Sequence, residues 1–300
     1  MTKKVLFALL FATRITRLVA WLNRDKVTIL CYHSVTRARK DKSKDPHKLL
    51  LPVDSFVQQL DYLKAHYRII SLEQFVKARR DNSRLPSGAA ILTFEDGQRN
   101  FLTVAAPPIL ERGLPVTSFI ITGDGYTQEN SSRNGDWARE DDNEHLSWDD
   151  IRRLSRLGVK FGSHTNSHSP LTDIPAVEAR NELQKSLYTL TSRLGAQHFP
   201  VSYPHGKTTE GINRLSQALG YSCAVTTKLG LNGQDQDLFD LRRTVIASDD
   251  DLPTFAARLS GLTYWYSRIA GFLGFRTEDP NSALLHCDQA LAEDCGLNET

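Results

Sequence analysis

From Lys26 onward, short β-branched or aromatic runs alternate with stretches whose apolar residues recur at helical spacing. A chain that switches period in this way builds parallel strands joined by crossover helices. "KVTILCY" at 26–32 reads as the first strand. The helix "PVDSFVQQLDYLKAHY" follows, entered through Pro52, with Val53, Phe56, Val57, Leu60 and Leu63 on one face. "SLEQFVKARRD" opens with a Ser71/Gln74 capping box. Strand "AAILTF", a helix ending near Gly113, strand "PVTSFII" and a helix behind Ser147 come next. Strand "VKFGS" then precedes a long helix whose Val177, Leu183, Leu187, Leu190 and Leu194 line a core face. Strands "HFPVSYP", "YSCAVTT" and "LRRTVI", with helix "EGINRLSQALG" and a last helix from Pro253, complete the series.

Seven or eight strands, mostly with intervening helices, fit a (β/α) barrel better than an open doubly wound sheet. No Gly-x-Gly-x-x-Gly follows the first strand, which counts against a dinucleotide-binding open sheet. With 300 residues, 40% hydrophobic and 24% charged, the chain can bury one large core. Its formal charge of +2 gives no basis for a nucleic-acid groove. Of the four cysteines, Cys31, Cys223, Cys287 and Cys295, none forms a CxxC pair, and Cys31 and Cys223 lie in apolar runs as reduced, buried thiols.

The N-terminus, "MTKKVLFALLFATRITRLVAWLNRDK", sets two lysines before an apolar run that Arg14 and Arg17 interrupt. A spanning helix needs ~18 uncharged apolar residues, and none is present here. Read as one amphipathic helix over 1–25, it has Thr13, Arg14, Arg17 and Arg24 on one side and Leu6, Leu10, Leu18 and Leu22 around the other. An interfacial membrane helix, a helix packed on the body and a signal peptide all stay open. A cytoplasmic or peripheral membrane location is expected ahead of a secreted one. The body is expected at 26–275, followed by a tail at 276–300.

"TFEDG" puts two acids, Glu95 and Asp96, at the end of an apolar strand. Adjacent carboxylates repel, so something cationic must hold them there. In "GVKFGSHTNSHSPL", His164 and His168 lie four apart just beyond another strand, and one helical turn would put both imidazoles on the same side. Strand ends of a barrel meet at one rim, which lets Asp96 and the two histidines converge. Two imidazoles and one carboxylate, with positions left open, make a catalytic rather than a structural Zn²⁺ site, and such a set also accepts Co²⁺ or Ni²⁺.

"ILCYHSV", "LTFEDGQRNF", "FGSHTNSH", "VSYPHGK" and "LRRTVI", in this order, resemble the polysaccharide deacetylase family, the NodB-homology domain of carbohydrate esterase family 4. The "YHxV" strand resembles the branch that includes deacetylases of poly-N-acetylglucosamine. The resemblance implies a single-domain, distorted (β/α)₇ TIM-like barrel and metal-dependent removal of acetyl groups from N-acetylated sugars, in a glycan or glycolipid. The family's "TFDDG" motif falls on Thr93 to Gly97, which makes Asp96 the metal ligand beside His164 and His168. Its general base falls on Glu95, where the family has aspartate; one extra methylene displaces the carboxylate, yet glutamate is a competent base of similar pKa. The "YPYG"-like stretch falls on Tyr203, Pro204, His205 and Gly206. This implies substrate contacts there and a Tyr203 backbone N–H for the oxyanion, with His205 in place of a more usual tyrosine. Arg243 is implied to pair with Glu95.

For the general acid, the family's late "LLHD"-like motif is imitated by "ALLHCD" with His286. His33, at the end of the first strand, is the local alternative, as acid, as substrate contact or as a hydrogen-bonded loop anchor. Trp137 and Trp148 flank the long polar stretch 123–145 and could stack on sugar rings, although Trp148 at a helix start suits packing. His47, His66, His145 and His198 have only surface or packing readings. "LTYWYSRIAGFLGF" at 262–275 reads as core or membrane-proximal surface. A carbohydrate is the expected partner, with no nucleic acid and with peripheral membrane contact through the N-terminal helix. The rivals to a deacetylase are a carbohydrate-binding relative without turnover and a hydrolase of other C–N bonds, such as cyclic amides.

Overall fold

The computed structural model describes residues 3–37, 45, 48–124, 126–128, 144–195 and 198–272. His47, Trp137, His286, Cys287, Cys295, most of the 123–145 stretch and the 276–300 tail lie outside the described residues.

Helices α1 (Lys3–Ala12) and α2 (Ile15–Leu22) precede β1 (Thr28–Tyr32). A short parallel pair, β2 (Ser34–Thr36) and β3 (Leu50–Pro52), leads into α3 (Val53–His66), β4 (Arg68–Ile69) and α4 (Leu72–Arg80). Then come β5 (Ala89–Phe94), a π-helical turn over Phe101–Ala105 that runs into α5 (Ala106–Glu111), β6 (Val116–Ile120) and α6 (Trp148–Arg156). The chain continues with β7 (Lys160–Ser163), α7 (Ala176–Leu194), β8 (Val201–Ser202), α8 (Glu210–Leu219), β9 (Ala224–Val225), β10 (Thr244–Val245), α9 (Leu252–Ser260) and α10 (Leu262–Phe272).

Seven parallel strands run in the order β10-β1-β5-β6-β7-β8-β9, with β4 beside the start of β5. Leu241 bridges to Val225 in parallel just before β10 joins β1 at Leu30↔Thr244, so the sheet curls toward closure. β8, β9 and β10 are only two residues long each, which makes the barrel irregular on that side. β1 and β5 are buried on both faces, as their unbroken apolar sequences require in a helix-covered parallel sheet. Tyr32 stacks on Phe94 with centroids 5.2 Å apart, and Phe94 meets Phe101 at 4.8 Å. This aromatic cluster fixes the end of β5, one residue before the paired acids.

The capping boxes at Ser71/Gln74 and Ser147/Asp150 both form, and Cys31 and Cys223 are free, buried thiols. Three expectations are corrected. The N-terminal segment is two helices bent by 81°, with Arg14 at φ 60° between them. Leu18 and Leu22 point to solvent, while Phe7 and Thr16 are the residues buried against the body. Val177 is 64% exposed, because the buried line of α7 runs through Ala179, Leu183, Ser186 and Leu190 and leaves the first turn outside it. Among the described residues no single helix is long and apolar enough to cross a membrane.

Candidate active site

Glu95 and Asp96 follow β5, His164 follows β7, Tyr203 follows β8 and His33 follows β1, so all stand at the C-terminal rim. Arg243 enters the interior just before β10 and is fully buried. Its Nη1 donates to Glu95 Oε1 at 2.6 Å and its Nη2 to Oε2 at 3.0 Å, a two-bond fork. Nη2 also donates to Ser202 Oγ (2.9 Å), the Ser202 hydroxyl donates to Glu95 Oε2 (2.8 Å), and Nε donates to the Thr226 carbonyl (2.7 Å). Burial by itself would push the Glu95 carboxyl up, but Arg243, helped by His164, outweighs it and brings it down to about 2.

The opposite side of the centre holds Asp96, His164 and His168, whose candidate ligand atoms all lie within 4.8 Å of one another. Asp96 Oδ1 is 3.4 Å from His164 Nε2 and 3.7 Å from His168 Nε2. His164 Nδ1 lies 2.9 Å from the Ser202 carbonyl, which can only accept, so in neutral His164 the proton sits there and the Nε2 lone pair faces inward. His168 Nε2 is 3.1 Å from His164 Nε2. Two ring nitrogens and a carboxylate oxygen converging on one point need a proton or a cation between them, and the donor set fits a divalent metal. Burial pushes His168 down to about 3, with His164 beside it acting the same way. For Asp96, burial is outweighed by the His164 hydrogen bond and by nearby histidines, and the carboxyl falls well below its usual range.

The ligand loop is not the helical turn that the HxxxH spacing suggests. Thr165 and His168 have φ 65° and 63°, and Asp96 and His205 at the same centre have φ 65° and 56°. A left-handed backbone at non-glycine residues is strained and persists only where the surroundings over-determine it. Between Thr165 and His168 the holding group is Glu182 of α7: it accepts from the Asn166 N–H (3.0 Å), the Ser167 N–H (2.7 Å) and the Ser167 hydroxyl (2.9 Å). At the separate Asp96 turn Gly97 is required, for at φ 66° its missing Cβ would stand 2.8 Å from Ile120 Cγ2.

His33 is buried, its Nδ1 has no hydrogen-bond partner among the described residues, and burial lowers its pKa against the raising pull of Asp96 and Glu95. His205 reaches the centre, with its ring 4.9 Å from that of His168. Pro204 is buried in the same turn. Tyr203 is a correction. Its N–H donates to the Val225 carbonyl (3.2 Å) in the β8–β9 ladder and its hydroxyl to Ser216 (3.2 Å), so neither group is turned toward an oxyanion. Trp148 is buried under the Arg193 guanidinium, 5.6 Å from its ring, and packs.

Ser202 and Glu182 escape sequence reasoning. Ser202 has only its strand-end position as a signal, and Glu182 is one of two acids, with Glu178, on an amphipathic helix. His145, read as surface or packing, bridges to Gln98 and lies 5.2 Å edge-on to Tyr126, next to the acid loop.

Residues 82–224 match the family model described as polysaccharide deacetylase. That segment, a little under half of the chain, carries its likeness to the polysaccharide deacetylase family. Among the family's proteins, the poly-beta-1,6-N-acetyl-D-glucosamine N-deacetylase of Escherichia coli is 25% identical over 275 residues, 80% of this chain and 39% of the relative. The chain thus spans about two fifths of that relative's length. A Streptococcus pyogenes deacetylase, PplD, solved in complex with acetate, superposes with a TM-score of 0.67 at 23% identity, over 78% of this chain and 98% of its own. IcaB from Ammonifex degensii gives 0.61 at 21% identity, over 79% and 97%. These two structures share the fold of this chain, an irregular parallel barrel ringed by helices.

Proposed function

We propose that the protein is a metal-dependent hydrolase that removes N-acetyl groups from N-acetylhexosamine units of a polysaccharide or glycolipid. The observation that carries this reading is the meeting, at one rim, of an arginine-locked carboxylate and a carboxylate–imidazole triad. Similarity to poly-N-acetylglucosamine deacetylases supports the choice of sugar.

Asp96, His164 and His168 would hold the ion, for which we take Zn²⁺ ahead of Co²⁺ or Ni²⁺; when bound, it supplies Lewis acidity toward the amide carbonyl and acidifies the attacking water. Glu95 stands beside His164, with Oε2 3.4 Å from Nε2, and receives the proton of that water. With its carboxyl at about 2, Glu95 is ionised and oriented throughout the neutral range. His33, pushed down by burial, is neutral there and serves as a hydrogen-bond partner of the substrate. The proton that Glu95 collects is then the one at hand for the leaving amine. His205 and Pro204 border the same opening and contact the sugar.

The test is acetate release from N-acetylglucosamine oligomers with added Zn²⁺, with Asp96→Ala alongside. Wild type is expected to release acetate. Asp96→Ala should lose roughly a thousandfold or more, since metal assistance supplies several kcal/mol, and should retain no Zn²⁺. Silence from wild type with activity in Glu95→Asp would turn the reading toward a carbohydrate-binding relative. Turnover of cyclic amides but not of sugars would make it a hydrolase of other C–N bonds.

A further inference from the structure

The helices α1, α2 and α10 all pack on α9 and form one outer face of the barrel. Phe7 of α1 meets Tyr266 of α10 edge to face at 5.9 Å, and Phe11 meets Tyr62 of α3 at 6.1 Å, so the inward sides are occupied. The outward sides are apolar. Leu9, Leu18, Trp21, Leu22, Trp265 and Ile269 are each 45–64% exposed. Apart from Leu157, Val177 and Tyr188, every large exposed apolar side chain among the described residues stands on these three helices. Soluble surfaces rarely collect them so.

Charge on the three helices themselves has one sign. The sequences of α1, α2 and α10 contain no Asp or Glu, and the first acid of the chain is Asp25. Lys3, Lys4, Arg14, Arg17, Arg24 and Arg268 lie in or beside the helices. Arg24 stands 4.3 Å above the Trp21 ring and Arg268 5.7 Å from the Tyr264 ring, so cations and aromatic faces are interleaved. Lys4 fastens the start of α1 to the body through the Asp249 carbonyl (2.8 Å).

We propose that this face docks on a lipid bilayer that carries anionic headgroups. Outward leucine, isoleucine and tryptophan side chains enter the boundary between headgroups and acyl chains, while the surrounding arginines and lysines meet the negative surface. The 81° bend between α1 and α2 lets both lie along the barrel and along the membrane plane together. A second copy of the chain would bring a positive face against a positive face, which disfavours it as the occupant.

The test is flotation of the full chain with vesicles of phosphatidylcholine alone and with vesicles that also contain phosphatidylglycerol. Binding is expected to the anionic vesicles only and to weaken as salt is raised. The double substitution Leu18→Glu with Trp21→Glu changes two solvent-exposed side chains, so it should leave the melting temperature unchanged and reduce vesicle binding about tenfold or more. Acetate release from soluble oligomers should stay at the wild-type level, which separates this proposal from the deacetylase reading. No flotation, equal flotation with both vesicles, or a dimer of the wild type that the double substitution dissolves would each overturn it.

Discussion

Glu95 and Arg243, with side chains 4% and 0% exposed, are held inside the barrel by strands and by a closed set of hydrogen bonds that includes Ser202. Asp96 and His168, 24% and 15% exposed, both have left-handed backbone, and the loop that carries His168 is held by Glu182 from a surrounding helix. The first pair is part of the core, and its geometry is fixed once the chain has folded. The triad is a strained loop pinned from outside, so its geometry can be loosened without unfolding the barrel. Damage to the two sides should therefore be read out differently: stability for one, metal affinity for the other.

The largest effect is expected from Arg243→Met. It leaves the Glu95 carboxylate buried without its cation, and breaking a buried pair in this way costs about 3–5 kcal/mol of folding stability. Denaturant unfolding of the metal-free protein measures it; a loss below about 1 kcal/mol, the range of exposed pairs, would show that the pair is not the core element described here. Next is Glu95→Asp. Shortening by one methylene withdraws the carboxylate from the two-bond fork and from the reacting water, and misplacement near 1 Å costs about a hundredfold in rate. Steady-state kinetics should show this fall in kcat with metal content unchanged. A rise in kcat would mean that the fork holds glutamate away from its task.

Glu182→Ala tests the other side. It removes the oxygen that accepts from the Asn166 and Ser167 N–H groups and the one that accepts from the Ser167 hydroxyl, so the loop carrying His164 and His168 should relax. Losing an outer partner of a ligand loop typically weakens metal affinity about 10–100-fold. Competition against a chromophoric chelator should detect this with Zn²⁺, while the melting temperature of the metal-free protein moves little. Equal metal affinity in both proteins would remove Glu182 from any positioning role.

Much of this division could be read from residues alone. "AAILTF" is β5 from end to end, because an apolar run this short and this rich in strand formers has few other uses, and the acids and histidines do meet at one rim. The spacing of His164 and His168 was legible, but the reason for it was not: left-handed φ values replace the helical turn, and positive φ at Thr165 and His168 leaves no mark in residue type. The Tyr203 N–H belongs to the β8–β9 ladder, since a residue at a strand end can face either the sheet or the rim and only the register decides. Leu18 and Leu22 fit an amphipathic pattern whose inward side the sequence does not label; the bend at Arg14 turns them out. Ser202 and Glu182 act through tertiary contacts with backbone and charge, for which a single sequence has no periodic signal.

The mildest perturbation is acid, and as the pH falls it should reach the triad before the arginine-locked pair. His168 is pushed from its ordinary 6.5 to about 3 in the folded state, so between these values the unfolded chain binds the proton that the folded chain refuses. Folding stability of the metal-free protein should then fall as the pH drops below about 6.5. Glu95 is lowered from 4.5 to about 2, so its contribution is complete above 4.5 and is lost only as the pH falls from there toward 2. His164 is raised, because its burial is outweighed by Glu95 and Asp96; it takes up the proton that His168 refuses and gives up stability as the pH rises through its folded-state value. The two rings titrate as a pair, and the His168 variant reads the pair. Melting temperatures of chelator-treated wild type and His168→Gln across this range should therefore diverge from 6.5 down to about 3, with the variant flatter, and the loss that both proteins share through Glu95 should set in only below 4.5. Curves that stay parallel throughout would place the acid sensitivity outside the triad and leave the arginine-locked pair as its source.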